Sequence, residues 1–186
     1  TTIVKLAVEK ILKKNVLVVG AGIKTGLNIR IDNPAQLGSD LVVDSVAAIA
    51  EYPAPLLIFD LGTANTVCVI DKNKNYIGGM IYPGIGVSLD SLTAHASQLG
   101  GISIEAPEHM IGKNTTECMK SGLIYSSAAA MDGIIDRLQE QLGGEATVIA
   151  TGGLAKKIVP HCRREIILDD DLLLKGLAII YKKNRK

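Results

Sequence analysis

A short turn around residue 60 has the residue types of a phosphate and cation site. Asp60 ends an apolar run, Gly62 and Thr63 follow it, and a second threonine stands at Thr66. Backbone N–H groups and threonine hydroxyls in such a turn can bind phosphate oxygens, and the carboxylate can hold a cation beside them. The same residues would also serve as turn caps, since short Asp-x-Gly-Thr strings are common. The residues alone leave both interpretations open.

Two carboxylates, Asp40 and Asp44, are spaced one helical turn apart in a predicted helix. Like charges at this spacing repel each other by ~0.2–0.5 kcal/mol. A sequence tolerates such a pair on a solvated face, or where one of the acids takes part in chemistry. The spacing therefore marks Asp40 and Asp44 either as a solvated pair or as candidate functional acids.

Two glycine-rich turns each follow an apolar run. Thr151-Gly152-Gly153 comes after a predicted buried strand, where a glycine pair lets the backbone approach a flat ligand closely. Gly20-Ala21-Gly22 comes after Val16 to Val19, which is also predicted to be a buried strand. The dinucleotide fingerprint would need a third glycine where Thr25 stands, so the second turn is weak evidence for a nucleotide site of the Rossmann kind.

The composition limits the classes of function. With 186 residues, 47% of them hydrophobic, the chain can form one large domain or two small lobes. A net charge of +1 and an aromatic content of 3% argue against a nucleic-acid-binding protein. Three widely spaced cysteines predict reduced thiols in a cytoplasmic protein, and the histidines lack metal-ligand spacing. No stretch is typical of a membrane span or a signal peptide.

The elements that must position these residues fall into two predicted groups, 1–53 and 54–186, divided at a proline-rich stretch. The first group has a predicted helix, a strand and a second helix, at 3–13, 16–19 and 32–50. The second group opens with a three-stranded meander at 56–84. It continues with a helix, a loop that contains a short strand, a long helix and a strand, at 88–99, 100–107, 114–142 and 147–150. Three aspartates at 169–171 precede the last helix, and capping explains them better than metal binding.

This α/β order resembles one half of the ribonuclease-H-like (actin-like ATPase) fold, which implies two similar lobes of which the first is incomplete. Within that superfamily the motifs closely resemble those of the type III pantothenate kinases. Six motifs occur in the family's order and cover nearly the whole chain: Gly22 to Leu27, Asp32-Asn33-Pro34 with Gly38-Ser39-Asp40, Asp60 to Ala64, Gly78-Gly79 with Pro83-Gly84, Ile111 to Thr115, and Ala150 to Ala155.

The resemblance implies an ATP-dependent kinase that converts pantothenate to 4'-phosphopantothenate in the first step of coenzyme A biosynthesis. It implies a cytoplasmic homodimer that uses potassium or ammonium, and magnesium with the ATP, and that has no nucleic-acid or membrane partner. The apolar stripe of the long helix predicted at 114–142 makes that helix the expected dimer contact. Asp40 matches the acid that takes the proton from the substrate hydroxyl. The resemblance also implies substrate contacts at Gly38, Ser39 and Thr115. It implies ATP contacts at Thr63, Gly152 and Gly153, and a cation ligand at Asp60.

Three departures from the family pattern keep the function open. The family usually has Arg where Leu41 stands and Tyr where Ile31 stands, so substrate-binding donors are replaced by apolar groups. The family also opens with a hairpin that carries an Asp-x-Gly-Asn-Thr loop for the phosphates, whereas this chain is predicted to open with a helix, as a shortened form would. The alternatives are a pantothenate kinase, a non-catalytic paralogue that dimerises and binds a ligand, and a kinase for another small alcohol.

Overall fold

A computed structural model describes residues 2–185 and contains one six-stranded sheet. Its strands lie in the order β1-β4-β3-β2-β5-β6. In chain order they are β1 Asn28–Ile29, β2 Leu56–Leu61, β3 Ala64–Ile70, β4 Asn75–Pro83, β5 Thr147–Thr151 and β6 Ile167–Leu168. The predicted meander of β2, β3 and β4 is confirmed, as is the strand that begins at Thr147.

The strand directions identify the fold class. β3 runs antiparallel to β2 and β4, whereas β5 runs parallel to both β2 and β6. From β2 onward the strands therefore follow the ribonuclease-H-like order, in which the first strand is central and the second is antiparallel to it. The predicted α/β class is confirmed. The short strand β1 joins the same sheet beside β4, and the lobe boundary near residue 53 stays a prediction.

Helices cover both faces of the sheet because β2 buries its side chains on both sides. Leu57 and Phe59 pack into a cluster with α4, while Leu56 and Ile58 pack into a second cluster with α2. A strand that is buried on both faces has a continuous apolar sequence, as the run before Asp60 has. The helices are α1 Thr2–Leu12, α2 Ser39–Glu51, α3 Ile85–His95, α4 Thr115–Leu142, α5 Ala155–Ile158 and α6 Leu172–Asn184.

The long helix α4 has the ends that its sequence predicts. The Asn114 side chain accepts a hydrogen bond from the Glu117 N–H at 2.9 Å, and Gly143 ends the helix with a φ of 76°. The apolar stripe of α4 faces the chain's own core, with Leu123, Met131 and Ile135 buried. Within residues 2–185, no helix is both long and apolar enough to cross a membrane.

Four sequence predictions about local structure are wrong. Residues 16–19 form no strand because no described strand lies beside them to complete a hydrogen-bonded ladder. The loop at 100–107 likewise contains no strand. The helix predicted from Asp32 begins with a 3₁₀ turn, Pro34–Gln36, which Leu37, with an extended backbone, and Gly38 separate from α2. The helix predicted at 88–99 begins and ends earlier, since Pro83 ends β4 and Gly84 caps α3 at once.

The position of α2 depends on a close contact with α6. Gly176 lies in the middle of α6, and a Cβ atom there would stand 2.7 Å from Val43 Cγ1 and 2.8 Å from the Val43 carbonyl carbon. The absence of a side chain therefore lets the two helix backbones touch. This contact holds α2 against the sheet, with its first turn near the carboxyl ends of β2 and β5.

Candidate active site

Four aspartates and a glycine pair line one cavity of about 430 Å³, which we call the acidic cavity. One of the four, Asp170, precedes α6. Asp40 and Asp44 come from the first two turns of α2, and Asp60 comes from the end of β2. Gly152 and Gly153 follow β5, which pairs in parallel with β2 so that Thr151 lies beside Asp60. The parallel pairing brings together motifs that are far apart in the sequence.

The turn after Asp60 is fixed by its neighbours. The Gly84 N–H donates to the Thr63 carbonyl at 3.0 Å, and a Cβ on Gly84 would stand 2.6 Å from that oxygen. The Leu154 N–H donates to the Leu61 carbonyl at 3.2 Å, which ties the turn after β2 to the turn after β5. The Thr63 side chain remains exposed. The two turns therefore form a rigid edge with accessible backbone and hydroxyl groups.

Gly152 allows the closest approach within this edge. Its φ of +94° is a left-handed conformation, and a Cβ there would lie 2.7 Å from both the N and the O of Leu61 and would also meet the Asp60 carboxylate. Any larger residue would push the two turns apart. The sequence predicts that this glycine lets the backbone approach a flat ligand closely. In the structure, the groups that Gly152 approaches most closely are Asp60 and Leu61 of β2.

Burial and mutual repulsion perturb the carboxylates. Asp44 is only 2% exposed, and its Oδ1 has no hydrogen-bond partner among the described residues. Burial, followed by the charges of Asp60, Asp40 and Asp169, raises the pKa of Asp44 to about 7. Burial and then the charge of Asp40 also raise the pKa of Asp60 above its ordinary value. Bound positive charge would therefore be favourable in the acidic cavity.

A second cavity, of about 540 Å³, is also lined by Asp40, and we call it the Leu41 cavity. Ile31, Leu41 and Met80 contribute to its apolar walls, and Gly38 lies at its edge. Gly38 also caps α2, and a Cβ there would stand 2.5 Å from Asp40 Oδ1. Asp40 lines both cavities, so a group held by its carboxylate is accessible from each of them.

Three predicted site residues line neither of these cavities. Thr63 is exposed in the turn after β2. Ser39 is exposed at the first position of α2 and lines neither cavity. Thr115 lines a larger cavity of about 1060 Å³ between α3 and α4, which shares no lining residue with the other two. Within one chain, the structure does not bring Thr115 to Asp40.

The aspartates before α6 act only in part as the predicted caps. Asp171 occupies the N-cap position of α6 without a side-chain cap bond. Asp169 instead accepts hydrogen bonds from the Tyr52 hydroxyl and from Lys175 Nζ, each at 2.8 Å. These partners outweigh burial and hold the pKa of Asp169 below its ordinary value. The capping prediction is confirmed in part, because the Asp169 carboxylate also accepts a hydrogen bond from the Asp171 N–H at 3.2 Å, at the start of α6.

Asp44 is the site residue whose burial the sequence does not reveal. Its spacing from Asp40 was a signal, but the sequence left open whether the pair is solvated. The structure places Asp44 inside the acidic cavity, beneath the more exposed Asp40. In residues 2–185, no three His, Cys, Asp or Glu side chains are arranged to hold a metal ion together.

Comparison with known proteins gives a consistent family. The family model of type III pantothenate kinases matches residues 1–137. A type III pantothenate kinase of Exiguobacterium sp. is 47% identical over 91% of this chain and 66% of its own length. One of Bacillus cytotoxicus is 46% identical over 95% of this chain and 67% of its own length. The chain thus spans about two thirds of the length of these relatives.

A solved structure agrees at the level of the fold. A conserved protein from Campylobacter jejuni, described as belonging to the Baf family of transcriptional activators, matches with a TM-score of 0.56 and 22% sequence identity. The match covers 86% of this chain and 70% of that protein. At this identity the likeness supports the fold alone.

Proposed function

The chain belongs to the type III pantothenate kinase family, and we propose that it phosphorylates pantothenate with ATP to give 4'-phosphopantothenate, the first step of coenzyme A biosynthesis, in the cytoplasm. One observation carries the proposal for this chain. Asp40 lines both the acidic cavity and the Leu41 cavity, so a nucleotide in one and an alcohol in the other can both reach its carboxylate.

We assign the role of general base to Asp40. The carboxylate accepts the proton of the substrate hydroxyl while that oxygen bonds to the γ-phosphorus and the bond to the leaving ADP oxygen breaks. Its exposure at the start of α2 makes it accessible to a substrate. Gly38 leaves room for this carboxylate, since a Cβ there would stand 2.5 Å from Asp40 Oδ1, and Ser39 contributes its backbone to the same turn.

The two turns at the sheet edge are proposed to bind the nucleotide. Thr63 offers an exposed hydroxyl after β2, Gly153 offers exposed backbone after β5, and Gly152 lines the acidic cavity beside it. Phosphoryl transfer depends on positioning and on stabilising charge around the phosphate, so a rigid edge is suited to this role. The hydrogen bonds that link these turns supply that rigidity.

Asp60 is proposed to hold the monovalent cation, potassium or ammonium, and the acidic cavity is suited to magnesium that arrives with ATP. The residues fit a positive charge because burial, followed by the charges of neighbouring carboxylates, raises the pKa of both Asp44 and Asp60. A bound cation would offset the repulsion between these carboxylates. Asp60 and Asp44 are the side chains that would hold it.

The proposed homodimer would explain Thr115. This residue is expected to contact substrate, yet it lies in a cavity separate from Asp40. A second copy could bring its Thr115 to the first copy's Leu41 cavity. The apolar stripe of α4 packs against the chain's own core. We therefore expect the dimer interface to form at the α3–α4 cavity and not along that stripe.

A coupled assay with ATP, pantothenate and potassium tests the proposed function. Asp40→Asn should lower turnover by a factor on the order of 10²–10⁴, because the base is lost while the helix remains. Asp90→Asn is the matched control, since Asp90 is an exposed aspartate on α3 outside all three cavities. Full activity in Asp40→Asn would refute the assignment.

The same assay separates the alternatives. ADP release that depends on another alcohol, and not on pantothenate, would indicate a related kinase with a different substrate. Ligand binding without turnover in the folded chain would indicate a non-catalytic paralogue.

A further inference from the structure

The Leu41 cavity of a single copy offers no positive charge to a carboxylate. None of the described residues that line it is Lys, Arg or His, and its two charged side chains, Asp32 and Asp40, are negative. A carboxylate that entered this cavity would lose water and would meet like charge. Pantothenate carries a carboxylate at the end remote from its reacting hydroxyl, so a single copy forms part of the site for it and not the whole.

The α3–α4 cavity has the opposite charge. Lys113 is the one charged residue among the described residues that line this cavity, and it stands two positions before Thr115. Lys113 is exposed, and its ammonium forms no ion pair within residues 2–185. A lysine that lines an open cavity without a carboxylate partner is available to an anion.

Reciprocal hydrogen bonds fix the turn that carries Lys113. The Lys113 N–H donates to the Glu117 carboxylate at 2.9 Å, and the Glu117 N–H donates to the Asn114 side chain at 2.9 Å. This arrangement resembles a capping box at the start of α4. Gly112 lies so close to α4 that a Cβ there would stand 2.5 Å from the Cys118 N. The motif at 111–115 therefore holds Lys113 in a fixed position at the end of a long helix.

The two cavities adjoin each other along β4. Ile81 lines the Leu41 cavity and Pro83 lines the α3–α4 cavity, and a spacing of two places both residues on one side of the strand. Ile81 is 75% exposed, so an apolar surface lies between the cavities. Adjoining patches of opposite charge suit a two-fold axis, because the axis places each patch against the complementary patch of a second copy.

We propose that two copies of this chain share each substrate site, and that Lys113 of the partner subunit binds the carboxylate of the pantothenate whose hydroxyl lies at Asp40. Lys113 is then a specificity-determining residue that supplies the positive charge that Leu41 does not. The inference rests on the proposed function for the identity of the substrate, and it deepens the proposed homodimer. Thr115 of the partner subunit lies beside the same ligand.

Calorimetric titration tests the role of Lys113 without requiring turnover. The probes are pantothenate and pantothenol, which keeps the reacting hydroxyl but has a neutral alcohol in place of the carboxylate. Lys113→Met should weaken pantothenate binding by a factor of about 10–100, because one charge-assisted hydrogen bond is lost, and should leave pantothenol binding unchanged. Lys113→Arg should keep the affinity for pantothenate, because the positive charge remains.

The matched control is Lys72→Met, since Lys72 is an exposed lysine outside all three cavities. This control should bind both probes as wild type does. Equal losses for both probes in Lys113→Met, an unchanged affinity for pantothenate, or a wild type that binds neither probe would overturn the inference.

Subunit mixing shows whether Asp40 and Lys113 act across the interface. In a homodimer of Asp40→Asn or of Lys113→Met every shared site is defective, whereas a mixed dimer has one site with both residues intact. At pantothenate concentrations below the wild-type KM, mixing should restore up to about a quarter of wild-type turnover, because half of the dimers are mixed and one of their two sites is intact. No restoration, in a mixture that native mass spectrometry shows to contain mixed dimers, would overturn the inference.

Turnover separates this inference from the proposed function. A chain that binds pantothenate through Lys113 but transfers no phosphate would contradict the proposed function alone. A chain that phosphorylates pantothenate with the same KM in wild type and in Lys113→Met would overturn the inference alone. If both are correct, Lys113→Met should raise KM and should lower kcat less than Asp40→Asn does.

Discussion

Replacing Asp44 with asparagine should stabilise the protein at alkaline pH and leave its stability near pH 4 almost unchanged. Asp44 is 2% exposed, and its pKa rises from an ordinary value of 3.8 to about 7. The folded state therefore binds a proton that the unfolded state has already lost between these two values. Stability must then fall as pH rises through this window. Asparagine carries no charge and removes the effect.

The magnitude follows from the size of the shift. About three pKa units at about 1.4 kcal/mol per unit set a ceiling near 4 kcal/mol for the free energy of unfolding. Because the acidic cavity is open to water and cations, we expect about half of this, roughly 2 kcal/mol. For a chain of this length, that difference corresponds to a rise of about 4–8 °C in melting temperature.

Thermal unfolding of wild type, Asp44→Asn and the control Asp90→Asn at about pH 5 and about pH 8.5 tests the argument. The melting temperature of wild type and of the control should fall more steeply between the two values than that of Asp44→Asn. Potassium should raise the melting temperature of wild type more than that of Asp44→Asn at the higher pH. Equal pH slopes in all three proteins would refute the reasoning.

Two further predictions concern the helices around the site. Gly176→Ala should destabilise the protein by about 1–3 kcal/mol in denaturant titration, because its methyl group would displace Val43 and with it α2. Unchanged stability would mean that α6 moves away without cost. Sedimentation at micromolar concentration should show a homodimer, and a bulky substitution such as Gly122→Phe in the α3–α4 cavity should produce monomers. A wild-type monomer would contradict the proposed dimer interface.

Local patterns were sufficient for elements whose ends are marked by turn residues. The meander was predictable because Asp60 to Thr63 and Asp71 to Asn75 interrupt β-branched runs. The ends of α4 were predictable because Asn114 and Gly143 act on backbone groups within a few residues. In each case the contacts that fix the element are close in the sequence.

Patterns failed where a distant partner decides the outcome. Residues 16–19 are apolar enough for a strand, but a strand requires a neighbour that the described chain does not place there. Asp169 accepts a hydrogen bond from the Asp171 N–H as a cap would, but its bond from the Tyr52 hydroxyl could not be predicted from local sequence. Asp44 has the spacing of a surface residue, and only the packing of α2 on the sheet and α6 buries it.

The location of Asp40 depends on a contact that none of the recognised motifs contains. A glycine within a helix costs about 1 kcal/mol relative to alanine, so Gly176 needs a structural reason. The reason is the close contact between Gly176 of α6 and Val43 of α2. With the two helices in contact, Asp40 lies near the ends of β2 and β5. A motif identifies the acid, but the packing of a helix far along the chain determines whether that acid reaches Asp60 and Gly152. The Gly176→Ala variant therefore perturbs the active site through a residue that lies outside its cavities.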